Sequence, residues 1–214
     1  MRGCYAPTGP KSRNHYGLTH PRGGRYPFTM RFRTLSAAAL LLTTLACGEE
    51  DFLADPTVEN EVETFTLGAL RFSPLSVESG FQVSVANPVF TTGPQLSVDF
   101  LYDIDDVAGP AFLPAQAAGL LTPSATNPGF KRMDVAFDSI LVASRNGYIV
   151  DEVIPIDSGD VFLVRSLIRC GIGVPHYGKL EVTGIDTVAN TVTFKVLANQ
   201  NCGYRSLEPG LPDN

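Results

Sequence analysis

Past residue 61 the chain is written in short apolar runs separated by turn residues. Segments 62–70 (VETFTLGAL), 81–85 (FQVSV), 95–104 (QLSVDFLYDI) and 134–143 (DVAFDSILVA) have the length and residue types of strands. So do 148–156, 160–168 (DVFLVRSLI), 177–185 (YGKLEVTGI) and 190–198 (NTVTFKVLA). Alternation is cleanest in the last, where Val192, Phe194 and Val196 are expected to face a core and Thr191, Thr193 and Lys195 solvent. Leu180 and Val182 alternate in the same way against Lys179, Glu181 and Thr183, and Asp186-Thr187-Val188-Ala189 supplies a hairpin connection. Only 114–121 (PAQAAGLL) predicts a helix, with its proline early and no β-branched residue. About eight short strands and at most one short helix predict an all-β domain over 62–214, an antiparallel β-sandwich or barrel.

The pattern upstream is different. Residues 35–46 are uncharged and mostly apolar, preceded by Arg31 and Arg33 and followed at once by Gly48-Glu49-Glu50-Asp51. Twelve such residues are too few to span a bilayer, which takes about 20, but they have the form of a secretory signal. The run ends in Thr44-Leu45-Ala46-Cys47, which resembles the lipobox of bacterial lipoproteins, with Thr44 standing where Leu is usual. That resemblance implies cleavage before Cys47 and acylation of its thiol, with palmitate among the chains. The reading is a signal peptide over 30–46 and an acidic, Pro-containing tether over 47–61. Gly48 rather than Asp after the lipidated Cys implies the outer membrane rather than the inner. Residues 1–29 show no periodic apolar pattern and read as an upstream extension from a misassigned start.

Charge follows the same boundary. Residues 1–46 hold seven Lys/Arg and no acid, so 47–214 hold nine Lys/Arg against all 22 Asp/Glu, a net charge of −13. Such acidity disfavours nucleic acid as a partner and direct adsorption to anionic lipid. The membrane contact expected is the lipid on Cys47, and the ligand or envelope partner of the domain is not specified by the sequence.

Of four cysteines, Cys4 lies in the leader and Cys47 is the lipid acceptor, which leaves Cys170 and Cys202. In an oxidising compartment they are expected to pair as a disulfide, stabilising by roughly 3–4 kcal/mol in the chain-entropy picture. A metal site would need partners at ligand spacing, and His176 is the single histidine after Leu45. Asp99, Asp103, Asp105 and Asp106 cluster in SVDFLYDIDDVAG. Asp103, Asp105 and Asp106 are weak calcium candidates, because the EF-hand ligand pattern is absent. A solvated turn is the simpler reading there, as it is for Asp157-Ser158-Gly159-Asp160. No G-x-S-x-G and no phosphate-binding glycine loop is present, so no catalytic residue is assigned and a non-enzyme is expected. A hydrolase using acidic residues is the remaining enzymatic alternative. His176, Tyr177, Tyr204 and Arg205 are candidate ligand-binding residues at one end of the sheet.

Met133-Asp134-Val135-Ala136-Phe137 with Arg145-Asn146-Gly147-Tyr148 is similar to a W-D-h-A-F…N-G-G pattern of HmuY-like haem-binding lipoproteins, with Met133 in place of the Trp. Residues 161–166, 177–182 and 191–194 resemble the closing strands of that family. The resemblance covers about the last 80 residues and implies a lipid-anchored, all-β surface protein gripping haem through two histidines. With His176 alone after Cys47, one subunit cannot supply both, so haem is kept as an alternative to an unspecified binding or structural role. Residues 201–210 (NCGYRSLEPG) also look like a tail shared among bacterial lipoproteins.

Overall fold

Strand β10 (Thr191–Asn199) carries out the alternation its sequence predicts: Val192, Phe194 and Val196 are buried, and Thr191, Thr193 and Lys195 are half-exposed. The computed structural model describes residues 53–92 and 97–212, so the leader, the signal segment and Cys47 lie outside the described residues. The other strands are β1 (Val62–Gly68), β2 (Gly80–Gln82), β3 (Asn87–Val89), β4 (Phe100–Asp105) and β5 (Gly109–Pro114). After them come β6 (Gly129–Met133), β7 (Ile154–Pro155), β8 (Val161–Arg165) and β9 (Tyr177–Asp186). They form two five-stranded sheets, ordered β1-β10-β9-β8-β6 and β3-β2-β4-β5-β7, with every pairing antiparallel. The fold is all-β, two antiparallel sheets consistent with a β-sandwich.

Between the sheets lies a core built largely of phenylalanine. Phe81, Phe100, Phe112, Phe130, Phe162 and Phe194 are each no more than 2% exposed. Their rings interlock: Phe112 stacks on Phe130 at 5.2 Å and meets Phe100, Phe162 and Phe194 edge-on. Offset stacks and edge contacts of this kind add to what area burial contributes.

The first sheet is covered on its other face as well, which explains why β8 is buried along its whole length. Phe162 and Val164 enter the phenylalanine core, while Val161 and Leu163 join a second cluster with Phe137, Ile140, Ala143, Tyr177, Leu197 and Leu207. Segment 134–143 therefore is not the predicted strand. Phe137, Ile140 and Ala143 recur every third residue, and around a short 3-10 turn (Phe137–Ser139) they point together onto the sheet. The same cover corrects Lys179, expected outward but 2% exposed: its Nζ donates to Ile140 O at 3.0 Å and sits 4.6 Å from the Phe137 ring centre.

Other expectations are corrected locally. Residues 115–119 form turns rather than a helix, because Pro114 closes β5, paired to Phe100, and leaves too short a run to nucleate one. Segment 148–156 keeps only the two-residue β7. Strands β3, β5 and β6 were not expected. β5 contains two prolines, but its doubly paired residues are Ala111 and Phe112, between them. The tether expected over 47–61 is docked where it is described. The Asn201 carboxamide oxygen accepts from the amides of Thr57 and Val58, and Asn60 exchanges backbone bonds with Gly210.

The hairpins β4–β5 and β9–β10 use one device twice. Asp105 Oδ1 accepts from the amides of Val107 and Ala108, and Asp186 Oδ1 accepts from Val188 and Ala189. Each turn then closes with a left-handed residue, Gly109 at φ 72° or Asn190 at φ 55°. The sequences are D-D-V-A-G and D-T-V-A-N.

Candidate functional site: an arginine–tyrosine pocket beside a cysteine–histidine cluster

Strands β8 and β9 pair so that Arg165 stands opposite Tyr177, and both lie on the covered outer face of the first sheet. Beyond their ends, a pocket of about 440 Å³ opens, lined by Leu53, Arg145, Val174, Tyr177, Gly203 and Arg205. Its floor is the buried Tyr177 ring, 6.3 Å from the ring of Tyr148. Gly203 sits at φ +80°, and a β-carbon there would come within 2.8 Å of Leu53 and 2.9 Å of Val174. Glycine is needed for both the turn and the close approach of these two walls.

The electrostatics of this corner are opposite to those of the domain. Arg71, Arg132, Arg169 and Lys195 are each paired with a carboxylate. Arg145, Arg165 and Arg205 pair with none among the described residues. Arg205 is held by donating Nη1 to Ala143 O at 3.0 Å, while Arg145 is exposed. Arg165 is buried: its Nη2 donates to the carbonyls of Ala125 and Asn127, its guanidinium lies 4.8 Å from the Tyr148 ring centre, and its Nε has no acceptor among the described residues. Burial pulls the Arg165 pKa down and drives that of Tyr148 far above the ordinary tyrosine value. Tyr148 instead donates its hydroxyl to Ser144 O at 2.9 Å. An anion entering the pocket would meet fork-shaped donors and an aromatic face without first displacing a resident carboxylate of the described residues.

Of the four ligand-binding candidates, Tyr177 and Arg205 line this pocket. Tyr204 is buried and donates its hydroxyl to Ala54 O at 3.0 Å, fastening the start of the described chain. His176 faces elsewhere. Cys170 and Cys202 are joined as a disulfide, and the His176 ring lies against it, with Nε2 at 3.5 Å from Cys170 Sγ and 3.7 Å from Cys202 Sγ. Burial, aided by Arg169 and opposed by Asp99, holds the His176 pKa below the usual imidazole value. Arg145 and Arg165 were missed: one sits in a loop with no periodicity, and the other sits in a strand whose outer face the sequence left uncovered.

The aspartate cluster is dispersed. Asp99 and Asp103, expected in solvated surroundings, are 1% and 5% exposed. Arg71 engages Asp103 through Nε at 2.8 Å and Asp106 through Nη1 at 3.0 Å, and also reaches Ile104 O. Asp105 is spent on its own turn, whose amides, Ala108 first, hold its pKa below the usual carboxylate range. The calcium candidates thus serve an ion-pair clamp and a hairpin. Asp157–Asp160 does form the turn before β8, with Asp160 Oδ2 accepting from the Asp157 amide. A second cleft, between Thr57–Glu63 and Gln200, is lined by Glu59, Glu61 and Glu63 and has the opposite sign.

Comparison with known proteins adds no relative: no family model matches the chain, and no curated protein or solved structure matches it either.

Proposed function

We propose that this chain is a non-enzymatic, lipid-anchored envelope protein whose β-sandwich binds a small anionic ligand carrying an apolar or aromatic body. The observation that carries the reading is the pocket in which Arg145 and Arg205 face Tyr177, Leu53 and Val174. Three arginines without carboxylate partners among the described residues gather at one corner of a domain of net charge −13, so their arrangement is local rather than compositional. Arginine forks orient a carboxylate, sulfonate or phosphate, and the tyrosine and aliphatic walls take the apolar part. The anchor rests on the lipobox-like Thr44–Cys47 and the apolar run before it, with the outer membrane as the expected location. No helix among the described residues is long and apolar enough to cross a membrane.

Two alternatives have less support. A haem carrier would need an axial ligand in the cavity, and His176 turns its ring nitrogens to the disulfide sulfurs while not lining the pocket. A hydrolase using acidic residues would draw on Asp99, Asp103, Asp105 or Asp106, and each of these is engaged by arginine or by backbone amides.

The test of binding is a fluorescence titration of the purified protein with anilinonaphthalene sulfonate, an aromatic sulfonate of fitting chemistry. Saturable binding at one site that is lost in Arg145→Gln/Arg205→Gln is expected, with the variant's unfolding transition unchanged. Equal binding by the variant would refute the assignment. For the anchor, labelled palmitate should enter the wild-type protein and be absent from Cys47→Ala.

A further inference from the structure

We propose that Cys170, Cys202 and His176 form a redox-gated site for a thiophilic d10 cation, closed while the disulfide is intact and opened by reduction. The three donor atoms lie within 4.8 Å of one another. A tetrahedral Zn²⁺ with bonds of about 2.3 Å to sulfur and about 2.0–2.1 Å to nitrogen has sulfur–nitrogen edges of about 3.6 Å and a sulfur–sulfur edge of about 3.8 Å. The separations from His176 Nε2, 3.5 Å to Cys170 Sγ and 3.7 Å to Cys202 Sγ, already have that length. Only the sulfur–sulfur distance must change, from a covalent bond to a ligand edge, and the Cα atoms stand 5.7 Å apart.

Besides the bond between them, these donors are held by the strands that carry them. Cys170 follows β8, His176 immediately precedes β9 and Cys202 follows β10, three adjacent strands of one sheet. His176 is fixed by two bonds to Ser166: its amide donates to the Ser166 hydroxyl and its carbonyl accepts from the Ser166 amide, both at 2.9 Å. Cys170 is buried and Cys202 is more open to solvent, so a reductant reaches the bridge from the Cys202 side.

The chemistry balances with a dithiol reductant. The dithiol gives two electrons and two protons to the Cys170–Cys202 bond, becomes a disulfide itself, and leaves two thiols. Zn²⁺ then displaces both thiol protons to solvent and takes two thiolates and the neutral imidazole, with water in the fourth position. Two thiolates and an imidazole select zinc or monovalent copper over calcium and magnesium. In the competing reading, the imidazole is merely packing against a permanent bridge. This site is separate from the arginine pocket, and its test does not depend on that pocket being occupied.

The experiment uses the full purified protein, oxidised or reduced with dithiothreitol and desalted without air. Each form is titrated with Zn²⁺ against a chromophoric chelator, and with Co²⁺ as a spectroscopic stand-in. The reduced protein should take one equivalent and give thiolate-to-cobalt charge-transfer and tetrahedral d–d bands, while the oxidised protein takes none. His176→Ala should bind at least about 10- to 100-fold more weakly, and Cys170→Ser/Cys202→Ser not at all. Reduced protein that binds no more Zn²⁺ than oxidised protein would overturn the proposal. So would an unchanged affinity and cobalt spectrum in His176→Ala, or loss of β-sheet dichroism on reduction that Zn²⁺ does not restore.

Discussion

Asp99 Oδ1 accepts from Arg169 Nη1 at 2.6 Å, and this pair ties the two sheets together at one end of the sandwich. Asp99 immediately precedes β4 of the second sheet, while Arg169 lies beyond β8 of the first. The same carboxylate takes the amides of Leu167 and Val83, each at 2.8 Å, so three donors from both sheets converge on one buried group.

Removing that group leaves a guanidinium and two amides without their acceptor. Asp99→Ala is expected to cost about 3–5 kcal/mol, the range for breaking a buried, hydrogen-bonded ion pair. Urea unfolding of the two proteins reads this directly. A loss below about 1 kcal/mol, the scale of an exposed pair, would show that the sheets do not depend on it.

The phenylalanine core makes a second prediction. Phe112 is fully buried and touches five other rings, so Phe112→Ala should destabilise by about 3–5 kcal/mol through lost transfer energy and a residual cavity. Val107 is 96% exposed at the tip of the neighbouring hairpin, and Val107→Ala should stay within about 0.5 kcal/mol of wild type. Comparable costs at the two positions would contradict the assignment of the core.

The paired hairpins make stability depend on acid. Backbone amides hold the Asp105 and Asp186 pKa values below the ordinary value of 3.8. A carboxylate lowered on folding stabilises above its unfolded pKa, and that contribution is lost as pH falls through the folded value. Wild-type stability should therefore drop below about pH 3.8. Asp105→Asn/Asp186→Asn retains a neutral acceptor in each turn and should show a shallower drop, measured as the unfolding midpoint at pH 6 and pH 3.

How much of this could be read from the sequence depended on whether one face of an element was solvated. Alternation placed β10 correctly because its exposed side chains are polar, and Asp186 marked its turn. It failed for 134–143, where three buried residues at a spacing of three imitate a strand by composition alone, and for Lys179, whose aliphatic stem and charge are covered by that segment. β5 was not expected, and its two prolines are residues that paired strands seldom hold. Yet D-D-V-A-G before it repeats the D-T-V-A-N turn before β10, and that repeat was the available signal. At the site, Tyr177 and Arg205 were legible as candidates, and the cysteine pair was legible from compartment logic. The approach of His176 to both sulfurs was not, since it is set by three adjacent strands rather than by spacing along the chain.

The central claim, a pocket that binds a small anion through Arg145 and Arg205, is tested most directly by nitrogen-15 NMR of the protein titrated with anilinonaphthalene sulfonate. The account predicts saturating shifts of the Arg145 and Arg205 side-chain Nε–H signals and of the Val174 and Gly203 amides, with the Glu59–Glu63 cleft unmoved. Shifts confined to that acidic cleft, or spread without saturation over the surface, would contradict it.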